Sequence, residues 1–269
     1  MQHSPALPLQ PIPVSDFIDA VSDAEILAWA DPDDNDGDGI SGVPNWISLK
    51  QYVKERPNSV TQNGRYIGRF GKKAATYDLL QQTATAYNQD IGVTSSFEPV
   101  DTHSGLVFDP EVSNQTINDV VFYLKTLKAP EPRPESNSIL EGKQWFTTIG
   151  CSKCHRPEMK TGNSSIASIA NKAFYPYSDF LLHDMGSSLD DGYTEGSAKT
   201  YEWRTPPLWG VGLSKKSQGG QYFLLHDGRA RSIEEAILLH GGEGIQSRSN
   251  YEALTNEEKT KLIRFLESL

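Results

Sequence analysis

Two cysteines and a histidine form the segment of this chain whose residue types and spacing are most informative about chemistry. Cys151-Ser-Lys-Cys154-His155 has the pattern C-x-x-C-H, and these two cysteines are the only ones among the 269 residues. The pattern is the attachment signature of c-type haem, in which both thiols add to the haem vinyl groups and the adjacent histidine becomes an axial ligand of the iron. It therefore predicts one covalent haem c, held by Cys151, Cys154 and His155.

Two other kinds of cysteine site fit the sequence less well. A structural zinc site needs a second Cys/His pair at similar spacing, and the sequence has none. A thioredoxin-like pair would open a helix after a buried strand, but the residues before Cys151, Phe146-Thr-Thr-Ile-Gly150, are few and only weakly strand-like. The haem interpretation is favoured over both.

Composition and charge limit the classes of partner. The chain is 37% hydrophobic and 22% charged, with a formal net charge of −10, which predicts a soluble globular protein with apolar cores. Nucleic acid and anionic membranes need basic surfaces, so both are excluded as partners. No run of about 18 apolar residues could span a membrane. The remaining expectation is a redox partner protein or a second haem domain.

The first residues bear on the cellular compartment of the protein. Met1-Gln-His-Ser-Pro-Ala-Leu-Pro8 has neither the charged region nor the apolar region of a signal peptide. Because haem c is attached outside the bacterial cytoplasm, we expect a periplasmic or secreted protein whose secretory segment is absent from this sequence.

Helical patterns separated by long loops set the expected fold class. Residues 14–30 are predicted to be helical, with Ser22 or Asp23 as N-cap, and residues 76–87 form a second helical pattern. A polar, proline-rich stretch at 131–138 reads as a linker. No segment alternates for long enough to predict a large sheet. The expected fold is mainly α, with tandem cytochrome c-like domains and long irregular loops.

An internal repeat supports the tandem arrangement. Residues 112–127 align without a gap on residues 254–269, and Ser113 and Thr255 fall at equivalent N-cap positions. Both segments then carry apolar residues at matching positions. The aligned pairs are Val120 with Leu262, Val121 with Ile263, Tyr123 with Phe265, Leu124 with Leu266, and Leu127 with Leu269.

The repeat predicts two domains of the same kind. A cytochrome c domain ends on such a helix, packed across the haem-bearing one, so residues 136–269 are predicted to be the haem-bearing domain. Residues 1–135 are then a cytochrome c-like domain that lacks its own C-x-x-C-H. Either that domain has lost its haem, or its motif lies upstream of Met1.

An aspartate-rich loop at 31–45 has the spacing of a calcium site. It contains D-x-D-x-D-G, which places carboxylates at alternate positions and a glycine at the turn. Asp34, Asp36 and Asp38 are the predicted side-chain ligands, together with the carbonyl of Ile40. The twelfth position is Asn45, so the loop lacks the glutamate of an EF-hand. A solvated acidic turn is the alternative.

Several long segments together resemble the di-haem oxidoreductase family, also described as thiol oxidoreductase-like or peroxidase. The resemblance covers nearly the whole chain and extends more distantly to bacterial di-haem cytochrome c peroxidases and to the haem enzymes of methylamine utilisation. Its residues are Asp36–Gly42, Gly68–Gly71, Tyr177–Gly186, Glu202–Gly210 and Leu225–Glu243.

The resemblance implies a second axial ligand for the iron. In the peroxidase-like families this ligand follows the helix after an H-D-G turn, a position that His240 occupies here, which predicts two histidine ligands. Met185 is the rival, since methionine is the usual ligand in small cytochromes c. His183 and His226 are expected to bond propionates or fix loops. Arg204 is expected to pair with a propionate.

The resemblance also implies a role. The related enzymes carry one haem for electron transfer and one where peroxide reacts, with a calcium ion between the haem domains. Because this chain has a single C-x-x-C-H, it is expected to supply the electron-transfer haem. Peroxidase-like oxidoreductase activity would then require the partner haem domain. The alternative is a non-enzymatic mono-haem electron carrier.

Overall fold

The computed structural model describes residues 15–127, 130, 133–164 and 166–269. Within those ranges it contains nine α-helices and seven short strands. The helices are α1 (Ser15–Ala20), α2 (Asp23–Leu27), α3 (Leu79–Ile91), α4 (Asn114–Thr126), α5 (Asn137–Thr148), α6 (Val211–Ser217), α7 (Ile233–Leu238), α8 (Ile245–Glu252) and α9 (Asn256–Leu266). The strands are β1 (Trp46–Ile47), β2 (Thr61–Gln62), β3 (Arg65–Ile67), β4 (Met159–Lys160), β5 (Ala173–Phe174), β6 (Leu182–Asp184) and β7 (Glu202–Arg204).

The predicted fold class is wrong. Helix makes up only 35% of the structure and strand 12%, so the content is mixed, not that of mainly α tandem cytochrome c-like domains. The strands form three small antiparallel sheets with the orders β1-β3-β2, β4-β5 and β6-β7. Each strand has only two or three residues, which is too short to show the alternation that identifies a strand in sequence.

The first predicted helix is two short helices. Residue 14 lies outside the described residues, and α1 ends at Ala20 because Val21 leaves the helix to form a β-bridge with Thr161. The Ser22 side chain then accepts a hydrogen bond from the Glu25 amide at 3.1 Å and caps α2. Of the two N-cap candidates, the structure therefore selects Ser22.

The second predicted helix is displaced toward the C-terminus. It was expected at 76–87, but α3 begins at Leu79. The Asp78 side chain caps the helix there, because it accepts a hydrogen bond from the Gln81 amide at 2.7 Å. Of the predicted linker, Glu131 and Pro132 lie outside the described residues. The linker ends where Ser136 caps α5.

The two helices of the internal repeat are confirmed, each with its predicted cap. Ser113 caps α4, and Thr255 caps α9 in a capping box with Glu258. In the second half, α9 crosses α5 at Gly142, where an added Cβ would lie 2.1 Å from the Lys261 carbonyl oxygen. This close crossing sets the position of the C-terminal end of α5, from which the C-x-x-C-H segment follows.

The two halves of the chain share one hydrophobic core. The buried members of this core from the first half are Ile18, Val21, Ile26, Phe70, Leu79 and Val121, and those from the second half are Met159, Phe174, Phe180 and Leu181. A second core packs α5 and α9 around Phe146, Tyr177 and Phe265. The division at residue 135 stays a prediction, and the contact between its two sides is extensive.

Candidate haem site

The two thiols lie in a single turn directly after α5. Gly150 has φ +98°, a left-handed conformation that favours glycine, and it turns the chain into a 3₁₀ helix at Cys151–Lys153. The His155 amide donates to the Cys151 carbonyl at 3.0 Å and closes the turn. Both thiols are free and half-buried. Burial raises the pKa of both, that of Cys151 to about 12, so the chain holds them as neutral thiols.

His155 is oriented by a backbone contact. Its Nδ1 lies 2.9 Å from the Tyr177 carbonyl oxygen and donates to it, so the lone pair is on Nε2. The residue is half-buried, with the Phe146 ring centroid 6.4 Å from that of the imidazole. Burial is the largest cause that lowers its pKa, to about 4. A neutral imidazole with a free Nε2 is the form that binds a metal.

His240 is held in the same way. It follows α7, and its Nδ1 donates to the Ala236 carbonyl at 2.7 Å, which again leaves the lone pair on Nε2. It is half-buried, and burial lowers its pKa. It lies near enough to His155 for charge repulsion between them to contribute to the low pKa of His155. The structure thus brings together the two histidines that the sequence proposed as axial ligands.

Met185 lies on the loop beside His240. Its amide donates to the Tyr201 carbonyl at 3.0 Å. Its own carbonyl oxygen would be 2.6 Å from a Cβ added to Gly241. The structure therefore brings the backbone of the rival ligand against the residue that follows His240.

His183 joins a buried cluster next to the second cysteine. Its Nε2 lies 2.8 Å from an Asp179 carboxylate oxygen, and its Nδ1 lies 2.6 Å from Glu243 and 3.6 Å from the Cys154 sulfur. Glu243 also accepts from the amide and hydroxyl of Ser41. Sequence analysis predicted that His183 would bond a propionate or fix a loop, and it missed both carboxylates. Glu243 is 60 residues away in sequence, whereas Asp179 is four residues away.

The charge on His183 should make stability depend on pH. Burial is the largest single influence and disfavours that charge, but Asp179 and Cys154 together outweigh it, and the pKa of His183 is raised well above 6.5. A histidine with a raised pKa stabilises the fold fully below pH 6.5, and this contribution is lost as pH rises through the raised value. His183→Leu should lower the free energy of unfolding by about 3 kcal/mol near pH 6, because it leaves a buried carboxylate unpaired. The loss should shrink at alkaline pH.

Denaturant unfolding of wild type and variant at several pH values measures this difference. His226→Leu is the matched control, since burial lowers the pKa of His226 and its loss should not shrink with rising pH. A His183→Leu defect that is constant from pH 6 to alkaline pH would contradict a charged His183.

His226 and Arg204 both make contacts around β7. The His226 ring stacks on Trp203 with centroids 3.6 Å apart and an interplanar angle of 8°. Arg204 is buried, and its guanidinium donates to the Gly71 carbonyl at 2.9 Å and to the Thr205 carbonyl at 3.3 Å. Both side chains thus fix the loops around β7.

Two arginines that sequence analysis missed have unsatisfied buried nitrogens at the site. Among the residues that the structure describes, no group accepts a hydrogen bond from the Nε of Arg156 or of Arg248. Arg156 follows His155 directly, and Arg248 lies near enough to His240 to lower its pKa. Buried N–H groups of this kind need an acceptor, and the haem propionates are carboxylates. This donor set, with two thiols and two neutral imidazoles, fits a haem.

The aspartate loop gathers a somewhat different set of carboxylates from the predicted one. Ligand atoms of Asp31, Asp34 and Asp36 all lie within 4.8 Å of one another. Asp38 instead pairs with the Lys153 ammonium at 3.0 Å and accepts from the Ile40 amide at 2.9 Å. Asp31 was missed because it precedes the D-x-D-x-D spacing. The loop therefore contacts the C-x-x-C-H segment itself through Lys153.

The site and the family comparison together indicate the class of the protein. Two half-buried thiols lie one turn apart and are followed by a neutral imidazole, a donor set that fits a haem. The family profile described as "Di-haem oxidoreductase, putative peroxidase" matches residues 9–269, and the chain belongs to that family. Membership confirms the resemblance and supports a haem redox function for the chain.

Other comparisons add a distant structural similarity. A structure of hydrazine synthase from Kuenenia stuttgartiensis, pressurised with 20 bar xenon, is similar over 64% of this chain and 59% of that chain. The sequence identity is 18% and the TM-score 0.39. Because the similarity covers 59% of that chain, this chain spans less than two thirds of its length. No curated protein matches the sequence. In the part of the chain that the structure describes, no helix has the length and apolar character needed to cross a membrane.

Proposed function

We propose that the chain carries one covalent haem c on Cys151 and Cys154, with His155 and His240 as the two axial ligands. The observation that supports this proposal is that the two imidazoles have similar burial, the same tautomer and the same kind of hydrogen-bond partner. Each is half-buried, has a lowered pKa and donates its Nδ1 proton to a backbone carbonyl. This leaves both Nε2 atoms with lone pairs, and a backbone acceptor fixes the ring orientation of a histidine ligand.

The orientation of the two side chains favours His240 over Met185 as the ligand. Its ring already has its tautomer fixed by the Ala236 carbonyl. The described contacts of Met185 are made by its backbone, and none of them orients the thioether. A side chain that is oriented before it binds loses less conformational entropy on binding.

Two fixed histidine ligands suit electron transfer. Haem supplies one-electron redox chemistry, and two strong axial ligands leave no open position for peroxide. The chain's own groups keep both rings neutral and oriented, and the Asp179–His183–Glu243 cluster holds the segment beside Cys154. We therefore propose that this chain is the electron-transfer haem domain of a di-haem oxidoreductase. The single C-x-x-C-H also supports a non-enzymatic mono-haem carrier, which peroxide turnover by the holoprotein with its redox partner would distinguish.

A calcium ion and a compartment belong to the same proposal. The convergence of Asp31, Asp34 and Asp36 supports a calcium site in the 31–45 loop, since hard oxygen ligands suit that ion.

Covalent haem c attachment supports a periplasmic or secreted protein. A redox protein with a basic docking face would complement the net charge of −10.

His240→Ala tests the assignment of the distal ligand. Near-infrared magnetic circular dichroism of the oxidised wild-type holoprotein should show the charge-transfer band of bis-histidine iron. The variant should lose that band and show high-spin iron, because an imidazole ligand has been removed. Met185→Leu is the matched control, and its spectrum should equal that of the wild type.

Three outcomes bear directly on the proposal. A sulfur-to-iron band in the wild type that disappears in Met185→Leu would assign the ligand to Met185 and contradict His240. A high-spin wild-type spectrum would contradict an electron-transfer haem with two ligands and favour a peroxide-reactive iron in this chain. Unchanged low-spin iron in His240→Ala would also remove His240 as ligand.

A further inference from the structure

Arg248 lies on the face of α8 that is next to His240. Gly244 is the N-cap of α8, and a Cβ added to it would lie only 3.0 Å from the Cβ of His240. Arg248 is four residues after Gly244, so the two share a helical face. Side chains of a helix lean toward its N-terminus, which directs Arg248 toward His240.

The same helix contacts the start of the C-x-x-C-H segment. Asn250 donates from Nδ2 to the Ile149 carbonyl at 3.2 Å. The Ser247 hydroxyl would lie 2.9 Å from a Cβ added to Gly150. Helix α8 therefore contacts both the residues before Cys151 and the ring of His240, and Arg248 lies on it between Ser247 and Asn250.

Arg248 differs from the other two arginines at the site in what its guanidinium contacts. Its Nε is buried and has no acceptor among the described residues. Arg156 also has a buried Nε without an acceptor, but its guanidinium stacks 4.1 Å over the Trp29 ring. Arg204, the propionate partner expected from sequence, donates to two backbone carbonyls. A guanidinium fits a carboxylate through parallel N–H donors.

We propose that Arg248 binds a haem propionate and thereby raises the reduction potential of the iron. The inference rests on the haem site proposed above. A cation beside the haem stabilises the ferrous state, which carries one negative charge more than the ferric state. The guanidinium also satisfies its own buried donor in this pairing.

The test compares variants of the intact holoprotein. Arg248→Gln should lower the equilibrium constant for haem reduction by about tenfold, which equals about 59 mV for one electron. Arg264→Gln removes the same charge from an exposed position on α9 and should change the constant much less. Resonance Raman spectra should show a shifted propionate bending mode in Arg248→Gln and no shift of that mode in Arg264→Gln. Arg248→Lys should retain most of the potential but shift the propionate mode, because an ammonium binds as a point charge.

The inference would be overturned if Arg248→Gln had the same reduction potential as the wild type and an unshifted propionate mode. This failure differs from failure of the proposed function, which appears as a changed ligand band in the wild type. The axial ligand band of Arg248→Gln should match that of the wild type, since Arg248 is not a ligand. Loss of that band would mean that Arg248 acts on His240 and not on a propionate, and would also overturn the inference.

Discussion

The variant Cys151→Ala/Cys154→Ala is expected to lose all covalent haem. The two thiols are free, half-buried and one turn apart, and no other cysteine exists to form a thioether. Each single variant should retain a haem on one bond. Haem staining after denaturing electrophoresis, together with the intact mass, shows whether haem is covalently attached, and the pyridine haemochrome spectrum distinguishes one thioether bond from two.

The loss of haem should also lower stability. A covalently attached haem stays on the unfolded chain, but its axial ligation and burial exist only in the folded state and stabilise that state. Without haem, half-buried thiols and imidazoles would lie around an unfilled site. The matched control is Ser152→Ala, which changes the same turn and leaves both thiols in place. Covalent haem in the double variant would contradict attachment at these residues. Haem loss in Ser152→Ala would mean that the turn and not the thiol chemistry decides attachment.

Gly142→Ala is expected to destabilise the second half of the chain strongly. The new Cβ would lie 2.1 Å from the Lys261 carbonyl oxygen and 2.8 Å from the Phe265 Cβ. Backbone atoms of α9 cannot move away unless the helix moves, so the two helices must separate. The expected cost is about 3 kcal/mol, at the upper end for overpacking, and alanine's better helix propensity offsets it by at most about 1 kcal/mol.

Thermal unfolding measures this cost, and a shift of the midpoint by about 5–8 °C is expected for a chain of this size. Gly162→Ala is the control, because its Cβ would meet nothing closer than the Ala20 carbonyl at 3.5 Å. Gly142→Ala should also disturb haem binding, since α5 leads directly into Cys151. An unfolding midpoint equal to that of Gly162→Ala would show that α5 and α9 do not cross as closely as described.

Local features of the site could be predicted from the sequence. The C-x-x-C-H spacing identified the thiols and His155, because that chemistry depends on neighbours along the chain. The caps Ser113 and Thr255 were predicted for the same reason, since a cap acts on an amide three residues away. The family resemblance, not the spacing, singled out His240.

Features that depend on distant contacts could not be predicted. Glu243 accepts from Ser41 across 202 residues of sequence, and no local pattern reveals that contact. The three small sheets were missed because strands of two or three residues show no alternation. The first helix breaks at Val21 because that residue pairs with Thr161 in the other half. Local propensity alone favours one continuous helix there.

The shared core has a consequence for the order of events during folding. Bonds such as Ser41–Glu243, Lys73–Lys199 and Arg204–Gly71 join residues 126 to 202 positions apart. Long loops must close before such contacts form, so their formation is slow. The half-buried environment of the thiols is therefore completed late. During that interval we expect Cys151 and Cys154 to be accessible in a short local turn, so the proposed attachment of haem would precede closure of the fold.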